Sequence, residues 1–263
     1  MNASLLEKQF QEMGARIKLE ERLSSFQINI LEDRKGEYFF LQVDERDLDV
    51  GVVDLRPSDR HLLLLIREPQ NNDIIKHKYL CGHDERHWFV AAVPNQGGVK
   101  DVPSAMEALK PPSVRQQQVQ KKVKGRNLQR RKNKAYIRQG EWFFIPVPYL
   151  YPPDSAIFKN EPIRRGSSKP HMCEFLYRTG GEMVYVNSKF PNGLTQAQYN
   201  ALCSQNPKYL KRNWDVMVRN AGVYVKGRVS HPDHATILLP TWHQVEMNRE
   251  FQAPSMSNLA FLD

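Results

Sequence analysis

Apolar residues along this chain gather in short runs rich in β-branched and aromatic types, parted by polar turn-formers, and that pattern predicts strands rather than helices over most of its length. The exception at the start is residues 4–12, where Leu5, Leu6, Phe10 and Met13 fall near the spacing of a helical turn and predict a short amphipathic helix before Gly14. Strands are expected at 26–31, 37–43, 48–55, 61–66, 76–80 and 87–93, rich in β-branched and aromatic residues. Arg34-Lys35-Gly36, Pro57-Ser58-Asp59 and the Pro/Asn/Asp-containing stretch 69–73 separate them. A second short helix is expected at 102–109, ended by Pro111-Pro112 because proline cannot extend the hydrogen-bond ladder.

Residues 114–134 break the pattern. Beyond Ala, their apolar members are Val114, Val119, Val123 and Leu128, a poor helical stripe with Gly125 in its middle, so the expected helix is marginal and either solvated or ordered by a partner. Strand patterning returns at 141–147, 172–177, 182–186, 214–219, 223–229, 236–239 and 243–247, with loops at 146–153 and 160–170. A helix is expected at 195–203, where Thr195 and Gln198 have the spacing of a capping box. The class that follows is α+β and strand-dominated: two small β-rich domains, 1–109 and 138–263, joined by a partly helical basic segment, 110–137. Residues 34–43 and 138–147 share R-x-G-E-[YW]-F-F-[LI]-x-V, an echo that a duplicated β unit would explain.

Charge changes the picture most. Residues 108–140 hold eleven Lys and Arg and no Asp or Glu, while 1–107 carry a net −5 and 141–263 a net +3. A patch of that density attracts polyanions, because neutralising phosphates releases condensed counterions. Its most compact part, the expected nucleic-acid contact, is Lys121, Lys122, Lys124, Arg126, Arg130, Arg131, Lys132 and Lys134. Gln116, Gln117, Gln118 and Gln120 add donors and acceptors suited to phosphates and base edges. No aromatic lies between Lys110 and Lys134, so stacking on bases falls to flanking residues such as Tyr136, Trp142 or Tyr149. In 223–229, Tyr224, Lys226 and Arg228 alternate with valines, as on a β-sheet nucleic-acid platform or on any half-exposed strand. The same basic run also suits an acidic protein partner or a solvated connector.

Histidines are the second uneven distribution. Cys81, His83 and His87 stand in C-x-H-x₃-H order, and His171 with Cys173 adds ligands of the kind zinc prefers, yet no zinc-finger spacing and no H-E-x-x-H occurs. No cofactor is expected on this basis, with zinc or another divalent metal as the exception the residues allow. The same segments offer His–carboxylate combinations for general acid–base work: His83 with Asp84 or Glu85, beside His87; His171 with Glu174; His231 or His234 with Asp233. Convergence of these histidines in one cleft is what an active site would require.

No G-x-x-x-x-G-K-[ST], G-x-G-x-x-G or G-x-S-x-G is present, which argues against P-loop, Rossmann and α/β-hydrolase chemistry. No apolar run, that at 62–66 included, nears bilayer-spanning length. Three cysteines without framework spacing suit a reducing compartment, so a cytoplasmic protein without a membrane partner is expected. The function expected from sequence is nucleic-acid binding, RNA ahead of DNA, by an accessory or adaptor protein. The alternatives are a histidine-dependent, metal-assisted phosphodiesterase or nuclease and a scaffold that binds an acidic protein.

Overall fold

The computed structural model describes residues 2–21, 26–43, 48–70, 73–165 and 168–250. It is strand-dominated α+β, as the patterning predicts, and divides into two compact units: residues 2–135 with 247–250, and residues 136–246. Residues 110–135 of the basic segment cluster with the first unit, and 136–137 with the second.

The first unit opens with α1 (Ala3–Glu12), capped by the Asn2 side chain, which accepts the Leu5 N–H at 3.1 Å. Strands β1 (Ile17–Glu21), β2 (Gln27–Asp33) and β3 (Gly36–Val43) form one sheet in the order β1-β3-β2, with β1 parallel to β3. Strands β4 (Asp49–Arg56), β5 (His61–Gln70), β6 (Asp73–Asp84) and β7 (His87–Val93) form an antiparallel meander. The turn expected at 69–73 includes residues 71 and 72, which lie outside the described residues.

β5 explains the run 62–66. Leu62, Leu64 and Ile66 join α1 and β3 in one core, while Leu63 faces the other way, into a second core with α2 (Val102–Leu109). A strand covered on both faces reads as an unbroken apolar run because neither face can be polar. α2 starts at an Asp101–Ser104 capping box, and Pro112 opens α3 (Pro112–Gln120), at the position where proline's missing N–H costs nothing. The expected helix at 114–134 is therefore realised as α3 and a separate 3-10 turn at Gly125–Gln129.

A buried polar knot holds that turn down. Lys110, 3% exposed, pairs with the Glu107 carboxylate and donates to the Leu128 carbonyl at 2.7 Å; Gln118 Nε2 donates to the same carbonyl at 2.9 Å. Gln129 Nε2 donates to Glu107 Oε1 at 2.7 Å. Gln118 thus serves the fold and not an external phosphate.

The second unit carries β8 (Ile137–Gln139), β9 (Trp142–Pro146), β10 (Ile157–Ile163), β11 (His171–Thr179), β12 (Glu182–Asn187), β13 (Phe190–Thr195), α4 (Gln196–Gln205), β14 (Asp215–Arg219), β15 (Gly222–His231) and β16 (His234–Met247). Its main sheet has the order β10-β11-β15-β16-β9-β8, and a smaller sheet has the order β13-β12-β14. α4 begins at the Thr195–Gln198 capping box and packs on the small sheet, with Tyr199 stacked on Tyr185 at 4.2 Å. β10 occupies part of the expected loop 160–170 despite Pro162. It is the edge strand of its sheet, where a missing N–H is tolerated.

The echoed motif does not fold twice in the same way. In the first copy the turn residues are Arg34 and Lys35, with Gly36 paired to Asp33. In the second the turn falls two positions later, on Gly140 and Glu141, with Gln139 paired to Trp142. β3 is the centre of a three-stranded sheet with a parallel neighbour, whereas β9 lies between β16 and β8. Among the described residues no helix is long and apolar enough to cross a membrane.

Candidate metal centre and basic surface

β15 and β16 form a hairpin whose turn is Pro232-Asp233, so His231 and His234 are a directly opposed cross-strand pair. On the other side of β15, Met172 pairs with Ser230, and one further step of that register sets His171 against His231. Three neighbouring strands therefore present three histidines in a row. Their rings stack, with centroids 4.1 Å apart for His171–His231, 4.7 Å for His231–His234 and 5.6 Å for His171–His234. One ligand nitrogen from each lies within 4.8 Å of the others, a group that could hold a metal ion.

The surroundings fix these rings. His231 Nε2 lies 3.2 Å from the Lys169 carbonyl and Nδ1 receives the Asp233 N–H at 3.1 Å, which places the proton of the neutral ring on Nε2. Asp233 is held by Lys169 Nζ at 2.9 and 3.0 Å. Gly140 has φ +57°, and a Cβ there would lie 2.9 Å from His234 Nε2, so the turn before β9 passes close against the third imidazole. His171 is 2% exposed, and neither of its ring nitrogens has a hydrogen-bond partner among the described residues. Beside it the Trp142 ring, 6.3 Å away, buries an Nε1 that is likewise unpartnered. Burial, reinforced by His231 and His234, lowers the His171 imidazole to about 3, so it is neutral at pH 7. Burial and His234 also lower His231, against the opposing pull of the Lys169 carbonyl and Asp233.

The other sequence candidates lie apart from this row. Cys173, two residues from His171, is buried with its thiol pushed up to about 12, a poor thiolate ligand. Cys81 is fully buried in the first unit and raised by the same cause. His83 packs edge-on to Trp88 at 4.9 Å, and His87 Nδ1 meets Glu37 Oε1 at 2.7 Å; neither joins a metal-binding group with Cys81 among the described residues. Glu85 pairs with Arg131. Glu174 sits in a β-bulge, where its Oε2 accepts the Arg228 N–H at 2.8 Å, a structural role. In sequence H-P-D-H looks like a polar turn, and so it is; its partner His171 is 60 residues away and becomes visible only through the strand order.

On the first unit, Lys121, Lys122, Lys124, Arg126, Arg130, Lys132 and Lys134 are all exposed, and none forms an ion pair with a described residue. Arg131 differs from them: it is engaged by the carboxylates of both Asp84 and Glu85. Of the flanking aromatics, Tyr136 and Trp142 are core residues at 2% and 0% exposure, which removes them as stacking platforms. Tyr149 is 87% exposed, and Tyr151, not singled out by sequence, is 84% exposed. β15 exposes Lys226 and Arg228 and half-buries Tyr224, while Val223, Val225 and Val229 face the core.

Neither family models nor curated proteins nor solved structures provide a match to this chain.

Proposed function

We propose that this is a nucleic-acid-binding accessory or adaptor protein of the cytoplasm, taking RNA ahead of DNA through the surface of residues 121–134. The observation that carries this reading is seven exposed Lys and Arg within fourteen residues, none in an ion pair with a described residue, anchored to a folded unit by the Lys110–Glu107 knot. Cations fixed on a framework lose less freedom on meeting phosphates than cations on a loose tether. The exposed Tyr149 and Tyr151 favour RNA, whose recognition relies on aromatic rings stacking against unpaired bases. Three unbridged cysteines support a reducing compartment.

The test is fluorescence anisotropy with a labelled single-stranded RNA and a DNA duplex in low salt, comparing the native chain with a variant in which the seven cations become Gln. Tight, salt-sensitive binding by the native chain that the variant loses supports the reading. Indifference of the native chain to both ligands overturns it, and specific retention of an acidic protein would then transfer the surface to the scaffold alternative.

One observation, the convergence of His171, His231 and His234, favours a second reading: a histidine-dependent phosphodiester-cleaving enzyme assisted by zinc or another divalent metal. Hydrolysis of an activated phosphodiester or of RNA by the metal-loaded protein, lost in His234→Ala, tests it.

A further inference from the structure

We infer that His171, His231 and His234 form a three-nitrogen site for a late first-row divalent ion, zinc foremost, whose fourth coordination position is left to water or an exogenous anion. The inference uses the same trio as the second reading above but requires no cleavage.

Three arguments carry it. The first is geometry: one nitrogen from each ring lies within 4.8 Å of the others, so that turning the rings brings them to the spacing of about 3.4 Å that ligands keep on a tetrahedral ion with bonds of about 2.0–2.1 Å. The second is the state of His171. An imidazole 2% exposed with both nitrogens unpartnered among the described residues leaves a donor and an acceptor unsatisfied there, a condition native interiors rarely keep unless another species completes it. A metal bonded to one nitrogen uses a lone pair that no described residue claims. The third is the outer contact of His231. A ligating imidazole commonly donates its second N–H to a backbone carbonyl, and Nε2 of His231 already faces that of Lys169 at 3.2 Å. Nδ1 is then the ligand atom, released from the Asp233 N–H.

The openness of the fourth position follows from the donor set. Among the described residues the group comprises three histidines and no carboxylate or thiolate; the Asp233 carboxylate is taken by Lys169, and the buried Cys173 thiol turns to the His171 carbonyl at 3.8 Å. Structural zinc sites close with four protein ligands, whereas three leave a position for an outside molecule. Three neutral imidazoles also leave the ion's double charge uncompensated, which selects an anion for that position. Imidazole donors favour zinc, copper and nickel over magnesium or calcium.

The experiment uses tag-free full-length protein freed of metal by a chelator. Calorimetric titration with zinc is expected to give one ion per chain, and cobalt is expected to give visible absorption bands of a four-coordinate ion that shift when azide is added. His231→Ala and His234→Ala, both on the half-exposed hairpin, are each expected to weaken zinc binding by about 100-fold or more while keeping the native circular dichroism spectrum; His87→Ala is the unaffected control. His171→Ala is expected to behave alike, but the inference does not depend on that buried variant folding. Absence of stoichiometric binding, zinc affinity unchanged in both hairpin variants, or a cobalt spectrum indifferent to azide would overturn the inference. Metal loading with these responses but without phosphodiester cleavage removes only the enzyme reading and leaves the site established.

Discussion

Neighbouring arginine and lysine at positions 131 and 132 offer a controlled test of the basic surface. Sequence places both in one cationic run, but the fold separates them: Arg131 is held by Asp84 and Glu85, while Lys132 is exposed and without an ion pair to a described residue. Counterion release gives a slope in log affinity against log salt of about −0.7 per neutralised phosphate for a single strand. With about five to seven cations engaged, the native slope is about −3.5 to −5, a loss of about 100- to 1000-fold in affinity between 50 and 200 mM salt. Lys132→Gln should reduce the slope by about 0.7, and the triple change Lys121→Gln, Lys122→Gln, Lys124→Gln by about 2, which cuts the loss over that salt range to about 10- to 60-fold. Arg131→Gln should leave the slope unchanged. It should instead lower stability by about 1–2 kcal/mol, because it strips two adjacent carboxylates of their shared partner. Anisotropy titrations at four or five salt concentrations, with urea denaturation of the same variants, measure both quantities. A slope that flattens as much for Arg131→Gln as for Lys132→Gln would refute the reasoning, since the internal ion pair would then not decide which charges reach the ligand.

Three further outcomes concern the fold that carries the sites. Gly227 has φ +84°, and a Cβ there would lie 2.6 Å from Glu174 Oε2; Gly227→Ala should cost more than about 1 kcal/mol, and less than additively with Glu174→Ala in a denaturation double-mutant cycle. Leu63→Ala, at a fully buried position facing α2, should cost about 2–5 kcal/mol by the same measurement, and a loss below 1 kcal/mol would mean the second core is not tightly packed there. Burial lowers the His243 imidazole, so the unfolded chain takes up the proton first, and the stability this ring helps provide is lost as pH falls below about 6.5. His243→Phe should therefore lose less melting temperature than the native chain between pH 7.5 and 5.5; equal losses would discard that account.

What the sequence reveals is the local part of this architecture. The capping box of Thr195 and Gln198, the strand at 61–66 and the helix of α2 are each encoded within a few residues, and they fold as read. β1 escapes because Ile17 and Leu19 are its only apolar positions and its support comes from a parallel partner more than twenty residues away. β16 reads as two strands because Pro240 interrupts it, but the proline falls at the register shift opposite Gly227, where the ladder is already irregular. The histidine row is non-local in the same sense. Its residue types are visible, but the alignment of β11, β15 and β16 that makes them neighbours depends on pairings between distant segments. The separation of Arg131 from its neighbours is hidden for a related reason, since its partners are the last residue of β6 and the first residue of the turn after it.

The three cysteines occupy three different packed regions: Cys81 the core under α1, Cys173 the main sheet of the second unit, and Cys203 the helix on the small sheet. All are buried free thiols. A thiol-specific reagent can modify each one only when its own region opens, so labelling rates read site by site in a mass spectrometer would time three separate breathing motions without any introduced probe. The unaltered chain is thus equipped to reveal which of its bodies loosens first when a ligand or an ion is withdrawn.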